Sequence, residues 1–330
     1  MDGLKYHIIA GGAGFIGMNL VKRLLKDENN FIYILDNLSS GVVENIQSLD
    51  NPMVVAWACD IVDKPMLNAI MERNIMPYVK GNECRIWNLA CPASPPFYQA
   101  NPIHTTKTCV DGSINLLEIA REYGCRYLYT STSEVYGDPF EHPQKESYRG
   151  NVNCTGIRSC YDEGKRCGES LCFDYHRKQG VDVRVVRIFN TYGPYMRPDD
   201  GRCVSNFINQ ALDGKDITVY GDGSQTRSLC YVDDLVEGLL LMMDSDEIGP
   251  VNLGNPNEMT ILDIAKHINK VVNGENDKSK IVFKELPSDD PLVRKPDISK
   301  AKEVLGWEPK VSFTDGISRT IQYFKQLRNQ

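Results

Sequence analysis

The sequence predicts an α/β protein in which a doubly wound parallel sheet is followed by a smaller C-terminal α/β domain. Three observations predict this fold class. Apolar, strand-like runs alternate with helical patterns through the first half of the chain. A glycine-rich turn joins the first strand to the first helix. After Asn190 the elements become shorter and loops more frequent, and 330 residues are enough for both parts.

The first strand is predicted at residues 6–10 and is followed by a glycine turn and a helix. Gly11, Gly14 and Gly17 have the spacing G-x-x-G-x-x-G. Such a turn bends tightly, lets the backbone approach a pyrophosphate and lets the helix lie close to the strand. The N-terminus of the helix then presents free N–H groups to the phosphates. This stretch predicts a Rossmann-type dinucleotide site.

The second strand, residues 31–37, ends on Asp36 and Asn37. Asp36 follows the glycines at about the distance of a ribose-binding acid. A carboxylate there repels a 2′-phosphate, so NAD is favoured over NADP. The third strand ends at Asp60 and Ile61, the usual place for adenine contacts in such folds. Further strands are predicted at residues 85–90, 126–132 and 181–190.

The stretch STSEVYG places Ser131 to Glu134 at the carboxyl end of the fifth strand, where ligands bind in such sheets. Further along, Tyr161 and Lys165 stand four residues apart, so on a helix they share one face. A cation close to a phenol lowers the pKa of the phenol, which makes Tyr161 a usable base near neutral pH. Downstream of a dinucleotide motif, this spacing predicts a catalytic pair, in which Lys165 could also hold the nicotinamide ribose.

Eight stretches of the chain together carry a resemblance. They read NLACPASPPFYQANPIHTTKT, STSEVYGDP, HPQKESYRGNVN, RSCYDEGKR, RIFNTYGPYMRPDDGRCVSNF, YGDGSQTRSLCYV, PVNLGNP and DDPLVRKPDISKAKEVLGWEP. On these stretches the chain resembles the UDP-glucuronate decarboxylase (UDP-xylose synthase) family of the extended short-chain dehydrogenase/reductase superfamily, almost from end to end. The resemblance implies NAD as cofactor, UDP-glucuronate as substrate and UDP-xylose as product.

The chemistry that the resemblance implies begins at sugar C4. Tyr161 removes the O4 proton while bound NAD accepts the C4 hydride. The resulting ketone makes the C5 carboxylate part of a β-keto acid, which loses carbon dioxide easily because electrons flow into the ketone. The enolate is then protonated at C5 and takes the hydride back, so the cofactor is regenerated.

Ser133 distinguishes this reaction from a dehydration. Related 4,6-dehydratases have Thr-Asp-Glu at this place, and their Asp protonates the departing C6 hydroxyl. A serine is too weak an acid for that task, whereas decarboxylation expels no hydroxyl. The resemblance implies that Thr132 bonds the O4 hydroxyl, that Ser133 forms a hydrogen bond and that Glu134 assists proton handling near C5. The alternative is that these residues merely cap the strand.

The resemblance also assigns binding residues. Arg294 matches an arginine implicated in decarboxylation and could anchor the substrate carboxylate, and Asn190 and Arg227 match contacts to the UDP diphosphate. The implied substrate contacts are Lys107, Tyr175, Asn190, Arg227 and Arg294. The implied NAD contacts are Gly11, Gly14, Phe15, Ile16, Gly17, Asp36, Asn37, Asp60, Ile61, Leu89, Thr108, Ser131, Tyr161, Lys165, Thr191 and Arg202.

The chain departs from the family pattern at Ala10, Cys91 and Cys109, where the family usually has Thr, Ser and Asn. The loss of a hydroxyl at Ala10 leaves the essential glycines in place. Both cysteines are expected near the cofactor or substrate. A nucleophilic role for Cys91 is disfavoured, because the reaction needs no covalent intermediate.

Composition excludes several classes of function. A net charge of −7 argues against nucleic acid as a partner. The 11 cysteines are odd in number and none has C-x-x-C spacing, so reduced thiols are expected rather than a metal site or a disulfide framework. Without a signal segment or a bilayer-length apolar run, a cytoplasmic protein with no membrane partner is expected.

We expect a NAD-binding domain at residues 1–188 and a sugar-nucleotide-binding domain at residues 189–330, with some exchange of strands and helices. The resemblance implies a homodimer built from the helices at residues 105–123 and 161–178. Two alternative functions remain. A 4,6-dehydratase or 4-epimerase is disfavoured by Ser133 and by the HPQ, RGNVN and VRKPD stretches. A catalytically silent sugar-nucleotide sensor is disfavoured because the tyrosine and lysine of the predicted pair are both present.

Overall fold

The computed structural model describes residues 3–274, 278–285 and 293–329. Strands in these ranges occur throughout the chain and are numbered here in chain order. They are β1 (Lys5–Ala10), β2 (Asn30–Asp36), β3 (Val54–Ala58), β4 (Glu83–Asn88), β5 (Arg126–Thr132), β6 (Val183–Ile188), β7 (Thr191–Tyr192), β8 (Ile217–Tyr220), β9 (Thr226–Ser228), β10 (Cys230–Tyr231), β11 (Val251–Leu253), β12 (Glu258–Thr260) and β13 (Ile281–Lys284).

Helices separate most of the strands. They are α1 (Phe15–Leu24), α2 (Val43–Gln47), α3 (Lys64–Ile70), α4 (Met76–Val79), α5 (Pro95–Ala100), α6 (Pro102–Lys107), α7 (Ser113–Tyr123), α8 (Ser159–Gln179), α9 (Cys203–Leu212), α10 (Val232–Asp244), α11 (Ile261–Asn273), α12 (Ser299–Leu305) and α13 (Phe313–Arg328). Shorter turns of π-helix occupy Met71–Ile75 and Thr108–Gly112, and a 3₁₀ turn occupies Ser133–Tyr136.

Seven of the described strands form one parallel sheet in the order β11-β6-β5-β4-β1-β2-β3. The chain winds outward from β1 to β3 and then returns to the other side of β1 as β4, so the strand order reverses between β1 and β4. At the carboxyl end of β1, Ala10 is opposite both Leu35 and Asn88. A crevice therefore opens beyond these strand ends, which is where doubly wound sheets bind ligands.

The strands of this sheet are apolar because helices cover both faces. Successive residues of β1 point to opposite sides, so Ile8 and Ile9 belong to different core clusters. The Ile9 side includes Trp87 and residues of α1, α10 and the second half of the chain. The Ile8 side includes Tyr127 and residues of α3, α7 and α8. Both faces of the sheet are thus closed to water.

The central sheet and the helices beside it include elements from the second half of the chain. Strand β11, beyond residue 188, pairs with β6 and adds a seventh strand that the sequence did not predict. Helix α10 packs against α1 and β6. The chain therefore returns to the sheet after residue 188.

The remaining strands form small pairs outside the main sheet. β8 pairs with β13, β9 with β12 and β10 with β7. The strands at residues 217–231 thus pair with segments outside this stretch. Helices α9 and α11 pack together beside them. Among the residues that the structure describes, every helix is too short or too polar to cross a membrane.

Candidate active site

A cleft of about 610 Å³ opens at the carboxyl ends of the central strands. One wall comes from the glycine turn and the ends of β2, β4 and β5, and the other from residues 188–229 and Arg294. Both halves of the chain therefore build it. A volume of several hundred cubic ångströms is typical of small-molecule and cofactor sites.

The glycines of the turn allow backbone segments of the protein to pack in direct contact. Gly11 has a φ of +82°, and a Cβ there would lie 2.8 Å from the backbone nitrogen of Ala90. A Cβ on Gly17 would lie 2.3 Å from the Gly11 carbonyl oxygen. Gly14 is the residue before helix α1, and because it has no side chain it cannot cap the free N–H groups of the first turn of the helix. The turn and the helix dipole therefore fit a pyrophosphate at this end of the cleft.

Asp36, at the end of β2, lines the cleft beside the glycine turn. Its carboxylate accepts hydrogen bonds from the backbone N–H of Ala13 at 2.9 Å and of Leu38 at 2.8 Å. Burial raises the pKa of Asp36, and these two hydrogen bonds oppose that effect only in part. Beside it, Asn37 Nδ2 donates to Asp60 Oδ2 at 3.0 Å. The acidic strand end expected to hold a ribose is therefore well positioned, although Asp36 also holds the glycine turn.

Tyr161 and Lys165 lie on helix α8 and are both buried at the cleft. The Tyr161 ring stacks on Tyr98 with 5.2 Å between centroids. Lys165 Nζ donates to the backbone oxygen of Thr130 at 2.8 Å and lies 6.0 Å from the centre of the Tyr161 ring. The hydroxyl of Thr132 forms a hydrogen bond with Tyr161.

The lowering of the Tyr161 pKa that was expected from Lys165 is not what this arrangement produces. Burial raises the pKa of the phenol well above its usual value, and the nearby sulfurs of Cys91 and Cys109 add to the increase. The Thr132 hydrogen bond acts in the opposite direction. Because Lys165 is hydrogen-bonded to a backbone oxygen at 2.8 Å instead of to the phenol, its charge does not overcome the burial.

Glu134 lies between two arginines. Its Oε2 accepts a hydrogen bond from Arg158 Nη2 at 2.6 Å and from Arg294 Nη2 at 3.3 Å. Burial would raise the pKa of Glu134, but Arg294 and Arg158 outweigh it and the pKa lies below its usual value. Arg294 also donates from Nη1 to the Gly137 carbonyl oxygen at 2.8 Å. Glu134 is therefore an anion held by two cations, the buried Arg294 and the half-buried Arg158.

Asp162 lies behind this group. Its Oδ2 is 4.0 Å from Arg158 Nε, and, among the residues that the structure describes, its buried Oδ1 has no hydrogen-bond partner. Burial and the charge of Glu134 raise the pKa of Asp162 to about 7, while Arg158 opposes the increase. Asp162 was not singled out from the sequence, since nothing in its spacing separates it from an ordinary helix residue.

The hydroxyls of the β5 end already have protein partners. Thr132 Oγ1 accepts the N–H of Glu134 at 3.2 Å, so it caps the 3₁₀ turn and also contacts Tyr161. Ser131 Oγ donates to Glu169 at 2.5 Å. Ser133 is buried and lines the cleft. Capping of the turn and contact with Tyr161 are thus compatible at Thr132.

The structure brings most of the predicted site residues into one cleft. Its lining includes Gly11, Gly14, Phe15, Ile16, Gly17, Asp36, Asn37, Asp60, Ile61, Leu89, Thr108, Ser131, Thr132, Ser133, Glu134, Tyr161, Lys165, Asn190, Thr191, Arg202, Arg227 and Arg294. Their individual roles remain predictions.

Two predicted substrate contacts lie elsewhere. Lys107 is exposed on helix α6 and is not part of the cleft lining. Tyr175 is fourteen residues after Tyr161 on helix α8, which is roughly 21 Å along the helix axis. Its hydroxyl donates to Glu118 at 2.5 Å. Neither residue is part of the cleft lining, so their roles as substrate contacts stay predictions.

Other lining residues were not predicted. Arg158 is the most consequential, and its position three residues before Tyr161 would have placed it on the same helical face. Tyr98 and Phe97 come from the α5 segment, and Arg197 lies 4.8 Å above the Phe97 ring. No spacing in the sequence relates these residues to the glycine turn, so only the fold brings them to the site.

The parallel sheet, the glycine cradle and the Tyr161–Lys165 pair define a dinucleotide-dependent enzyme of the extended short-chain dehydrogenase/reductase class. Residues 8–320 match the family model described as GDP-mannose 4,6 dehydratase. The chain is 50% identical to UDP-glucuronic acid decarboxylase 3 of Arabidopsis thaliana over 98% of its own length and 90% of that protein. It belongs to the UDP-glucuronic acid decarboxylase family.

Solved structures agree with this class. A UDP-glucose 4-epimerase from Thermotoga maritima, solved with UDP-glucose, has a TM-score of 0.87 at 30% identity and covers 98% of this chain and 99% of its own. A variant of UDP-glucuronic acid 4-epimerase from Bacillus cereus was solved with NAD and a fluorinated UDP-glucuronic acid. It has a TM-score of 0.84 at 27% identity, over 98% of this chain and 99% of its own.

Proposed function

We propose that this protein decarboxylates UDP-glucuronate to UDP-xylose through a 4-keto intermediate, with NAD as a cofactor that is regenerated in each cycle. The family relationship supports the reaction class. The observation that carries the assignment is the position of Arg158, Glu134 and Arg294 beside Tyr161 in one cleft. This group provides positive charge for a sugar carboxylate close to the base that acts at C4.

The cofactor fits the residues present. The glycine turn and the first turn of α1 would hold its pyrophosphate, Asp36 its adenosine ribose and Lys165 its nicotinamide ribose. Bound there, NAD would supply the acceptor and later the donor of the sugar C4 hydride. The positive charge of its oxidised form would favour the phenolate of Tyr161 and oppose the effect of burial.

Tyr161 acts as base and then as acid at the sugar O4. Its hydrogen bond with Thr132 orients the phenol oxygen toward the end of β5 and favours the ionised form. Removing the O4 proton generates the C4 ketone next to the C5 carboxylate. After carbon dioxide has left, the protonated phenol can return its proton to the C4 oxygen.

The arginine group supplies charge of intermediate strength. Two guanidinium cations, Arg158 and Arg294, contact Glu134, and Asp162 lies 4.0 Å from Arg158, so the positive charge offered to a substrate carboxylate is partly neutralised. Full pairing with two free arginines would oppose decarboxylation, because the charge must move from the carboxylate to the C4 oxygen. Since Glu134 is an anion, it can orient a proton-carrying water toward C5 rather than act as the acid itself.

The reaction is tested by incubating the purified protein with UDP-glucuronate and a trace of NAD and following the nucleotide by chromatography and mass spectrometry. We expect a product that has lost carbon dioxide, without accumulation of NADH in proportion to turnover. Loss of water, an isomer of unchanged mass or an intact substrate would each contradict the proposal. Tyr161→Phe is the matched inactive control, since it removes the acid–base oxygen alone.

We further propose that the protein works in the cytoplasm as a homodimer. Free thiols at every cysteine are what a reducing compartment maintains. Helices α6 and α8 pack side by side and expose residues such as Thr106 and Cys167, so that the pair could meet its copy across a two-fold axis. Light scattering on the purified protein would test this, and a monomer at micromolar concentration would contradict it.

A further inference from the structure

Two cysteines that depart from the family pattern meet at the cleft. Cys91 Sγ and Cys109 Sγ are 3.3 Å apart, although the residues follow different elements of the fold. Cys91 lies just after β4, is half-buried and lines the cleft, while Cys109 lies in the π-helical turn at Thr108–Gly112 and is buried. A separation this small means that the two sulfurs already touch.

We propose that Cys91 and Cys109 form an oxidation site, in which a hydroperoxide converts the two thiols to a disulfide and thereby inactivates the enzyme reversibly. The pair is a modification site distinct from the chemistry of Tyr161. It belongs to this chain rather than to the family pattern, which has Ser and Asn at these positions.

The chemistry balances in two steps. Once the pair has lost one proton and Cys91 has passed its own proton to Cys109, the Cys91 sulfur, which lines the cleft, attacks an oxygen of the hydroperoxide and breaks its O–O bond, giving a sulfenic acid and an alcohol or water. The Cys109 sulfur then attacks Cys91 Sγ, the S–O bond breaks and water leaves. Two thiols lose two electrons and two protons, and the hydroperoxide accepts them.

The surroundings of the pair support ionisation of one thiol. The hydrogen bond from Cys91 lowers the pKa of Cys109 against the effect of burial, and the charge of Lys165 adds to the lowering. Burial and the same hydrogen bond raise the pKa of Cys91. Once one of the two thiols has lost its proton, the two sulfurs share the remaining proton, which can move to whichever sulfur is not reacting.

Geometry indicates why a disulfide would stop turnover. A disulfide is about 2.0 Å long, so the sulfurs must approach by more than 1 Å, roughly, from their present contact. Cys109 is buried in the helical turn at Thr108–Gly112, which packs against helix α8, whereas Cys91 lies in the loop after β4. We expect the loop at residues 89–92 to make most of the movement, and Leu89, Ala90 and Cys91 form part of the cleft wall.

That shift reaches two parts of the site. The backbone of Ala90 lies directly against Gly11, where a Cβ would meet it at 2.8 Å. The neighbour of Cys109 in the chain is Thr108, which lines the cleft. Because displacements of about 1 Å in a positioned site can cost ~100-fold in rate, we expect at least a tenfold loss of kcat on oxidation.

The test treats the NAD-loaded protein with hydrogen peroxide, alkylates the remaining thiols and maps peptides without reduction. We expect a cross-linked pair of peptides carrying Cys91 and Cys109, a fall in kcat that follows the cross-link in time, and recovery of both with dithiothreitol. The peptide map needs no substrate, so it would detect the disulfide even if the proposed reaction proved wrong.

Two variants distinguish oxidation of this cysteine pair from oxidation at other residues. Cys109→Ser cannot form the disulfide. The ratio of its kcat after peroxide treatment to its kcat before treatment should therefore stay near one. Cys154→Ser removes an exposed cysteine elsewhere and should keep the wild-type sensitivity. The absence of the cross-link, or inactivation of Cys109→Ser equal to that of the wild type, would overturn the proposal.

Discussion

Arg294 donates a hydrogen bond to Glu134 over 3.3 Å, although 160 positions separate the two residues in the chain. Glu134 follows strand β5, whereas Arg294 comes shortly before helix α12. Since Arg294 also bonds the Gly137 carbonyl at 2.8 Å, the C-terminal segment is attached directly to the STSEVYG stretch. The second half of the chain therefore contributes charge to the reacting centre as well as a wall for the cleft.

Replacing Arg294 by Gln should reduce kcat by about 100-fold or more while NAD affinity stays nearly unchanged. The substitution leaves Glu134 paired with Arg158 alone and removes a buried positive charge beside the proposed position of the substrate carboxylate. Losing one partner of a buried charge pair costs roughly 2–5 kcal/mol. Steady-state kinetics and NAD titration measure the two quantities. Lys295→Gln is the matched control, since Lys295 lies next in the chain but pairs with Glu258. A kcat within about threefold of wild type for Arg294→Gln would contradict the role.

Gln144, in the HPQ stretch, holds the segment that carries Arg294. Its Oε1 accepts the N–H of Lys295 at 2.9 Å, and its backbone pairs with Lys295 and Asp297, each at 2.9 Å. Gln144 is fully buried and lies outside the cleft lining. It is thus suited to position Arg294 without touching the substrate.

We expect Gln144→Leu to lower kcat by roughly tenfold, with less effect on KM and with a stability cost of about 1–3 kcal/mol for the unpaired Lys295 N–H. The combination with Arg294→Gln decides the mechanism. If Gln144 acts through Arg294, the double variant should be scarcely slower than Arg294→Gln alone. Fully additive losses in kcat would assign Gln144 a general structural role instead.

The hydrogen bond between Thr132 and Tyr161 should set the pH dependence of turnover. Burial raises the pKa of the phenol and the Thr132 bond opposes this, so removing the bond raises the pKa further. Because Tyr161 must lose its proton to act as base, kcat/KM should rise with pH, and in Thr132→Val this rise should move to higher pH. Thr132→Ser keeps the hydroxyl and should retain the wild-type profile. The measurement is kcat/KM against pH for the three proteins; coincident profiles would exclude the effect.

The sequence predicted the sheet and the cofactor side of the cleft because these depend on local patterns. Gly11, Gly14 and Gly17 are close in the chain, and Tyr161 and Lys165 share one helix face, so spacing alone relates them. The polar ends of β2 and β5 follow from the parallel sheet, which brings its carboxyl ends to one edge. These features required no knowledge of long-range contacts.

The rest depended on packing that no spacing encodes. Strand β11 is only three residues long and joins the sheet from the far half of the chain. Resemblance assigned Lys107 and Tyr175 to the substrate, but neither lines the cleft, and Tyr175 bonds Glu118 instead. The effect of Lys165 on Tyr161 was also misjudged, because burial of the phenol, which outweighs it, is a property of the folded site.

Asp162 should make the protein less stable as the pH rises from about 4 to 7. Its pKa is raised from 3.8 to about 7 in the folded protein, mainly by burial. Between these values the folded state retains a proton that the unfolded chain has lost, so each increase in pH favours unfolding. Below pH 4 both states are protonated and the penalty disappears; above pH 7 it is complete.

Asp162→Asn removes this titration and should stabilise the protein at pH 8 by a few kcal/mol at most, on the order of the cost of burying the charge. At pH 5 the gain should be clearly smaller, because wild-type Asp162 is then mostly protonated. Thermal unfolding at both pH values measures the difference in Tm. Asp174→Asn, an exposed residue on the same helix, should change Tm little and equally at both. A stabilisation by Asp162→Asn that is equal at pH 5 and pH 8 would contradict the prediction. The amide differs in charge from the aspartate side chain only where that side chain has lost its proton, so an equal effect at both pH values could not come from the charge of the carboxylate.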